Sequence, residues 1–230
     1  MTNHLPNPPI EATTIAIIAY DGVQMSAVLG LEDLFTIANR LCAVAQLHVT
    51  ILSTGDVVAN LGGTYGAIIM PPNINAARGA GDAAIHSFLR HQHQLGSTIC
   101  SACAGVFWLA ESGLLSGRAV TTHWALVPEF AEKYPNVRLL PDEILIDERD
   151  IVTAGGMMAW LDLGLSLVER HLGAQVMTDT ARVHQQMPRG RRQANYRAFR
   201  PRTTHGDGAI SELQHWMAAN VDGDLSIATL

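Results

Sequence analysis

The sequence predicts a doubly wound α/β domain built on a mostly parallel sheet. Short apolar runs alternate with segments of helical periodicity along most of the chain, which is typical of βαβ units. The run TTIAIIAY (13–20) is apolar without alternation and rich in β-branched residues, as expected for a strand covered on both faces. A chain of 230 residues is long enough to bury a core of this kind.

Strands are predicted where apolar runs are bounded by turn residues. Pro71 and Pro72 end the third run, because proline cannot continue a ladder of backbone hydrogen bonds. Two or three short strands joined by the turn DERD are predicted within 137–156. The other predicted strands are 13–20, 47–54, 65–72, 97–102 and 117–123.

Helices are predicted where apolar residues recur at intervals of three or four. In 26–41, for example, Val28, Leu31 and Leu34 follow this spacing. Gly96 is expected to stop the helix that precedes it. The predicted helical segments are 26–41, 76–96, 104–113, 124–134, 157–173, 174–187 and 209–220.

Composition and charge narrow the functional classes. The net charge of −6 does not by itself suggest nucleic-acid binding. The N-terminal segment has neither the basic nor the apolar region of a signal peptide, and no apolar run is long enough for a membrane span. The cysteines, Cys42, Cys100 and Cys103, form an odd set without the spacing of a secreted scaffold. We therefore expect a cytoplasmic protein that does not bind a membrane.

The composition also predicts four regions: a flexible lead (1–12), a sensing domain (13–187), an Arg-rich linker (188–207) and the beginning of a helical module (208–230). The linker is interpreted as a solvated connection or, alternatively, as a basic flank beside DNA. Its arginines are Arg189, Arg191, Arg192, Arg197, Arg200 and Arg202.

The stretch SACAG contains the main candidate site residue, Cys103. It lies at the predicted carboxyl end of strand 97–102, where ligands gather in doubly wound sheets. The small residues Ala104 and Gly105 permit a sharp turn, and the N-terminus of the following helix favours a thiolate. Cys103 is therefore predicted to line a pocket, although an inert buried cysteine and a redox pair with Cys100 are alternatives.

His123 ends the next predicted strand, so it could meet Cys103 as the base of a nucleophile–base pair. A hydrogen-bonded strand-end histidine without a catalytic role is the alternative. Asp162 lies within an apolar helix, where we expect a buried partner for its carboxylate. Met157, Met158 and Trp160 are interpreted as core or dimer-interface residues.

His91 and His93 are interpreted as a solvated helix end, because no further ligand at suitable spacing supports a metal site. We expect no metal and no cofactor.

The SACAG elbow, the segment GLLSGRAVTTHW and the helix TAGGMMAWLDLGLSLVERHLG together resemble the ThiJ/PfpI-like, glutamine-amidotransferase-like superfamily. They are most similar to its AraC-associated branch of GlxA-type regulators, over roughly residues 13–200. The segment SELQHWMAANVDGDLSIATL resembles the beginning of an AraC/XylS-type helix-turn-helix domain. On this resemblance we expect the chain to be cut just inside its DNA-binding domain.

The resemblance implies a flavodoxin-like three-layer α/β/α sandwich that forms a homodimer. It also implies a regulator that binds a small metabolite, such as an amino acid or a quaternary amine, and binds DNA through the C-terminal domain of the full-length protein. The implied ligand-binding residues are Cys103, Ala104, His123, Asp21, Gly22, Pro72 and Asn73.

The superfamily also contains Cys-dependent enzymes, among them hydrolases, isonitrile hydratases and glyoxalase-like proteins, so an enzyme that uses Cys103 and His123 is the alternative. The carboxylate that assists the cysteine in such enzymes falls here at Ser26 or Ala27, and neither is acidic. The glycines that follow the third strand are replaced by PPNIN. Turnover would need a substitute carboxylate from Asp21, Glu32 or Asp33, so we expect a sensor and not an enzyme.

Overall fold

A six-stranded sheet lies at the centre of the fold. In this computed structural model, residues 11–75, 82–186, 193, 206–220 and 223 are described. The strands are β1 (Glu11–Ala19), β2 (Ala45–Ser53), β3 (Ala67–Met70), β4 (Thr98–Ala102), β5 (Ala119–Val120), β6 (Arg138–Leu139), β7 (Leu145–Asp147) and β8 (Ile151–Ala154). The strand order in the central sheet is β2-β1-β3-β4-β8-β7, and all neighbours pair in parallel except β7, which is antiparallel to β8.

Helices cover both faces of this sheet. Every residue of β3, β4 and β8 is buried, and consecutive strand residues point to opposite faces, so both faces are covered. The predicted doubly wound, mostly parallel α/β fold is confirmed. The helices are α1 (Met25–Leu41), α2 (Asp56–Ala59), α3 (Ala83–Gln94), α4 (Val106–Glu111), α5 (Val127–Lys133), α6 (Trp160–Leu172), α7 (Ala174–Val183) and α8 (Gly208–Ala219).

Close packing of α1 against α6 fixes where α6 begins. A Cβ atom on Gly30 would lie 2.4 Å from the ring of Trp160, the first residue of α6. Gly164 faces Leu31 and Leu34 in the same way, with a built Cβ at 3.0 and 3.2 Å from their side chains. Since α6 follows β8, this packing also holds the β8–α6 connection, which lines the candidate site described below.

Two predicted elements differ in the structure. The segment predicted as a single strand over 117–123 contains only the short β5, which pairs with β6 in a separate two-stranded sheet. The position beside β4 in the main sheet is taken by β8, so 121–123 reaches the sheet edge as an irregular segment. The helix predicted over 76–96 begins at Ala83, capped by the Asp82 carboxylate, while 76–81 lie outside the described residues.

The chain divides into two compact units, Met1–Tyr196 and Arg197–Leu230. The described part of the second unit is centred on the helix α8 (Gly208–Ala219), which lies between the cap residues Asp207 and Asn220, close to the predicted 209–220. No described helix has both the length and the apolarity needed to cross a membrane. Residues 1–10 of the predicted lead and most of the predicted linker, including all six of its arginines, lie outside the described residues, while 11–12 belong to β1.

A network of ion pairs joins three connections at the amino-terminal ends of β4 and β8. Arg118 donates to both carboxylate oxygens of Asp150 at 2.7 Å, and Nε2 of His93 lies 2.7 Å from the same carboxylate. His93 is thus a partner of a carboxylate and not simply a solvated helix end. The hydrogen bonds from Arg118, helped by His93, hold the pKa of Asp150 well below its usual range.

Asp150→Asn tests this network. The folded chain holds the Asp150 proton more weakly than the unfolded chain does. The ion pairs therefore stabilise the fold at pH values above the ordinary Asp pKa of about 3.9. This stabilisation is lost progressively as the pH falls below that value, because Asp150 then becomes protonated. Because the Asp150 side chain is 44% exposed, we expect a loss of only about 1 kcal/mol in the free energy of unfolding at neutral pH.

Urea unfolding at neutral and acidic pH measures this effect. Asp33→Asn, on the exposed side of α1, is the control and should leave the pH dependence unchanged. If the free energy of unfolding depended on pH equally in the wild type and in Asp150→Asn, Asp150 would not be the group whose ionisation stabilises the fold.

Candidate functional site

The candidate site is centred on the turn that follows β4. Cys103 begins this turn with φ of +53°, a conformation that is uncommon for any residue with a side chain. Gly105 lies against the end of β3, where an added Cβ would be 2.2 Å from the Met70 carbonyl oxygen and 2.8 Å from that of Pro71. The strained cysteine and the obligatory glycine together form the sharp elbow that the sequence predicted.

Contacts on several sides hold the elbow cysteine. Thr122 Oγ1 donates to the Cys103 carbonyl oxygen at 2.9 Å, so the segment before His123 is attached to the elbow. The Cys103 side chain is buried, and its Sγ lies 3.8 Å from Sδ of Met157, in the β8–α6 connection. Met157 is therefore part of the site, although the sequence suggested only a core or interface role.

A cavity of about 400 Å³ opens beside Cys103 at the carboxyl edge of the sheet. This volume is suitable for a small metabolite. Cys103, Ala104, His123 and Asn73, four of the predicted ligand-binding residues, line it together. The sequence analysis did not select the other lining residues, Ile74, Asn75, Ala125, Leu126 and Met157.

Asp21, Gly22 and Pro72, also predicted to bind ligand, do not line this cavity. Gly22 supports its wall, since the Gly22 carbonyl oxygen accepts from the backbone N–H of Ile74 at 2.9 Å. Its φ of +75°, and a Cβ that would lie 2.7 Å from Asn75 Nδ2, explain why glycine is needed there. Pro72 accepts from the backbone N–H of Gln24, and Asp21 is exposed.

The His123 ring is partly buried beside the cavity. Burial lowers its pKa below the usual value, which favours the uncharged ring at neutral pH. Its Nδ1 accepts from the backbone N–H of Ala125 at 3.1 Å, so the ring proton is on Nε2. In this state neither nitrogen has a lone pair available to accept the thiol proton of Cys103.

The described residues that line the Cys103 cavity include no carboxylate. Ala27 is buried in the core and Ser26 is exposed, where it accepts a hydrogen bond from Gln24. Glu32 and Asp33, considered as substitutes, are exposed on α1. The polar groups around the cavity are amides, an imidazole and a thiol.

A second cavity, of about 280 Å³, shares His123 and Met157 with the first. Gly155, Gly156, Met158 and Ala159 of the β8–α6 connection line it. Asp162 of α6 also lines it, so this carboxylate is not enclosed in the core as the sequence suggested. Trp124 and Ile144 complete the wall, together with Gln193 from the predicted linker.

Gln193 is the functional candidate that the sequence analysis missed. Its side chain is buried to 3% exposure, although it stands in an Arg-rich stretch whose composition is typical of a solvated segment. Its backbone N–H donates to the Asp142 carbonyl oxygen at 2.9 Å. The only hint in the sequence that Gln193 differs from its neighbours was its position as an uncharged residue among arginines. Composition alone does not predict that such a residue is buried.

Cys42, Cys100 and Cys103 all lie in the described part of the chain and form no disulfide there. Cys100 is buried in β4, as predicted, and burial raises the pKa of its thiol to about 12. Such a thiol is a poor partner for disulfide exchange. Within the described residues, no group of His, Cys, Asp and Glu is arranged to hold a metal ion.

Residues 46–170 match the family model of the DJ-1/PfpI family, and these residues make up more than half of the chain. The chain belongs to the DJ-1/PfpI family. The curated proteins similar to it include a DJ-1 protein, several HTH-type transcriptional regulators and an enzyme. Protein DJ-1alpha of Drosophila melanogaster is 25% identical over 75% of this chain and 76% of its own length.

The HTH-type transcriptional regulator CdhR of Pseudomonas aeruginosa is 34% identical over 53% of this chain and 33% of its own length. Isonitrile hydratase of Pseudomonas putida is 30% identical over 43% of this chain and 40% of its own length. The match thus spans about a third of the regulator.

Solved structures show the same fold at low identity. An AraC family transcriptional regulator from Pseudomonas putida superposes with a TM-score of 0.65 at 17% identity, covering 75% of this chain and 99% of that chain. DJ-1beta of Drosophila melanogaster gives 0.64 at 16% identity, covering 76% and 99%. The predicted flavodoxin-like architecture is confirmed as the DJ-1 fold.

Gly105→Ala tests the geometry of the elbow. Because the new methyl group would meet two backbone carbonyl oxygens of the β3 end, we expect a loss of about 1–3 kcal/mol in the free energy of unfolding. Gly62→Ala is the matched control, since a Cβ there meets no atom within 4 Å, and its effect should stay within about 0.5 kcal/mol. Chemical denaturation measures both, and equal stabilities would contradict the proposed close contact.

Proposed function

We propose that this chain is the small-molecule-sensing domain of a ligand-responsive, DNA-binding transcriptional regulator that acts in the cytoplasm as a homodimer. The effector occupies the cavity beside Cys103. DNA is bound through the C-terminal part of the full-length protein, to which α8 belongs. In this account the domain has no catalytic turnover.

The observation that carries this proposal is the continuity between the cavities and the chain that leads to the second unit. The two cavities share His123 and Met157, and Gln193 forms part of the wall of the second. Gln193 lies three residues before Tyr196, the last residue of the first unit. An effector in these cavities therefore contacts, directly or through shared walls, the residue from which the chain continues toward the second unit.

The properties of the site support binding in preference to catalysis. His123 is neutral and its Nδ1 is already engaged, so it is a poor base toward Cys103. The described lining of the Cys103 cavity supplies no carboxylate as a substitute. What it offers is two asparagine amides, an imidazole and sulfur atoms, a set that can bind a small polar metabolite through hydrogen bonds.

The comparisons support the same proposal. The match to CdhR covers 33% of that regulator, and the structure of the Pseudomonas putida regulator has the same fold as this chain. Sensing requires that the effector bind one arrangement of the protein better than another, since a ligand with equal affinity for both shifts nothing.

Ala125→Phe in the full natural gene product tests the sensing site. Ala125 is exposed at the cavity, so a phenyl ring there should fill the cavity without disturbing the core. A panel of amino acids and quaternary amines is screened against binding to the protein's own promoter DNA, measured by fluorescence anisotropy. We expect the response to the active compound to weaken at least about tenfold, while DNA affinity without the compound is unchanged.

Ala131→Phe, on an exposed position of α5 away from the cavity lining, is the control and should respond as wild type does. A protein that shows no specific DNA affinity under conditions that suppress non-specific binding would overturn the regulator proposal.

A Cys-dependent enzyme is the second candidate, favoured by the strained conformation of Cys103 and by the similarity to isonitrile hydratase. That function requires a reactive thiolate at neutral pH. Iodoacetamide labelling, with Cys103 followed by peptide mass spectrometry, distinguishes the two. The sensing proposal predicts labelling no faster than that of an ordinary thiol, and fast labelling of Cys103 would favour the enzyme.

A further inference from the structure

We infer that the wall of the second cavity contains a binding site for a primary carboxamide, and that Gln193 fills this site as an internal, displaceable ligand. The inference rests on the proposed sensing function for its regulatory consequence: a small carboxamide that takes the place of Gln193 releases the chain that continues toward the second unit.

Polar groups of the protein surround both ends of the Gln193 side-chain carboxamide. Its Nε2 lies 2.9 Å from the Thr122 carbonyl oxygen, 3.0 Å from the Glu143 carbonyl oxygen and 3.1 Å from Thr121 Oγ1, so its two hydrogens are shared among three acceptors. Its Oε1 accepts from the backbone N–H of Trp124 at 3.2 Å. Both ends of one carboxamide are therefore recognised.

This set discriminates between chemical classes. The carbonyl oxygens of Thr122 and Glu143 only accept, so they favour an N–H₂ group that offers a hydrogen to each. A carboxylate would place a negative oxygen against these acceptors, and a tertiary amide would take from the Thr122 carbonyl oxygen the donor that Gln193 supplies, which is costly at a buried site. The N–H of Trp124 requires an acceptor at the other end, which an amine lacks. A primary carboxamide satisfies both requirements.

The shape of the site is equally specific. A Cβ atom on Gly155 would lie 1.8 Å from Gln193 Nε2 and 2.6 Å from its Cδ, so the glycine leaves just the space that the carboxamide occupies. Thr121 and Thr122 are completely buried, and Thr121 Oγ1 is fixed by its own hydrogen bond to the Glu143 carbonyl oxygen at 2.8 Å. The site is therefore built from backbone groups and one buried hydroxyl that has a hydrogen bond of its own.

The site also lies where a ligand can reach it. Gly155 and Gln193 both line the second cavity, which shares His123 and Met157 with the Cys103 cavity. Tethering gives Gln193 an effective concentration on the order of millimolar or higher. An external carboxamide therefore competes well only if the rest of the molecule gains contacts in the cavity.

Gln193→Ala in the complete chain tests the site directly, with acetamide as the probe. The substitution removes the internal carboxamide and leaves its space open, so acetamide should bind and shift the backbone amide signal of Trp124 in a saturable NMR titration. In the wild type the same signal should need at least about tenfold more acetamide, because Gln193 competes. Acetate and N,N-dimethylacetamide should not shift it in either protein.

Gln193→Met is the matched control, because it fills the space without offering a hydrogen bond, and it should not respond to acetamide. Gln193→Ser leaves a similar space and replaces the alanine variant if that one does not fold. The inference is overturned if the Trp124 signal of the open variant does not respond to acetamide, if acetate acts equally well, or if the methionine variant responds as the alanine variant does.

Trypsin cleavage after Arg192 provides the regulatory readout, because the bond cleaved is the one to Gln193, whose N–H is bonded to Asp142. Opening the site in Gln193→Ala should speed this cleavage about tenfold, since several hydrogen bonds that hold the residue are lost. An unchanged cleavage rate would remove the regulatory consequence.

These tests are separate from the DNA assay. Acetamide binding together with a failed DNA assay would leave the carboxamide site and remove the sensing function. The reverse result would leave the sensing function and remove the carboxamide site.

Discussion

The close contact between the turn after β4 and the end of β3 is the constraint on which the site depends. Gly105 packs against the carbonyl oxygens of Met70 and Pro71, with no room for a side chain. This contact requires the chain to turn sharply, and Cys103 takes a positive φ as a result. Because the end of β3 is itself held by Tyr20, whose hydroxyl donates to the Pro71 carbonyl oxygen, the elbow is fixed from two strands.

The remaining walls are attached to this elbow by individual hydrogen bonds. Thr122 binds the carbonyl oxygen of Cys103, which places His123 beside the cavity. Thr153 of β8 accepts from the backbone N–H of Thr121 at 2.9 Å, so the same segment is also attached to the main sheet. Met157 follows β8 and brings its sulfur to Cys103. A cavity with such fixed walls is well suited to select a ligand, since little ordering accompanies binding.

The sequence predicted the parts of this site that local patterns determine. The apolar runs revealed the parallel strands, and the SACAG pattern revealed the elbow, since small residues beside a cysteine at a strand end allow the chain to turn sharply there. Cys103 and His123 were found in this way, Ala104 and Asn73 were implied by the family resemblance, and all four line one cavity. The strand predicted over 117–123 is present only as the short β5, in a separate sheet, because a short apolar run does not tell which sheet a strand joins.

What the sequence did not predict depends on contacts between distant residues. Gln193 is buried through partners 50 to 72 positions away in the chain, and no local pattern encodes these. The same is true of His93, whose partner Asp150 lies 57 residues away. Met157 and Asp162 stand in an apolar segment that is typical of a core helix, and no local pattern shows that they lie beside a cavity.

The central claim is that the cavity beside Cys103 and Met157 binds a small metabolite. Methyl NMR of the methionine side chains tests it most directly, in a titration with the amino acids and quaternary amines of the screening panel. The account predicts a compound that shifts the Met157 methyl signal in a saturable manner and leaves unchanged that of Met25, which is exposed on α1 outside both cavity linings. If compounds that regulate DNA binding left the Met157 signal unchanged, the effector site would lie elsewhere and the account would be wrong.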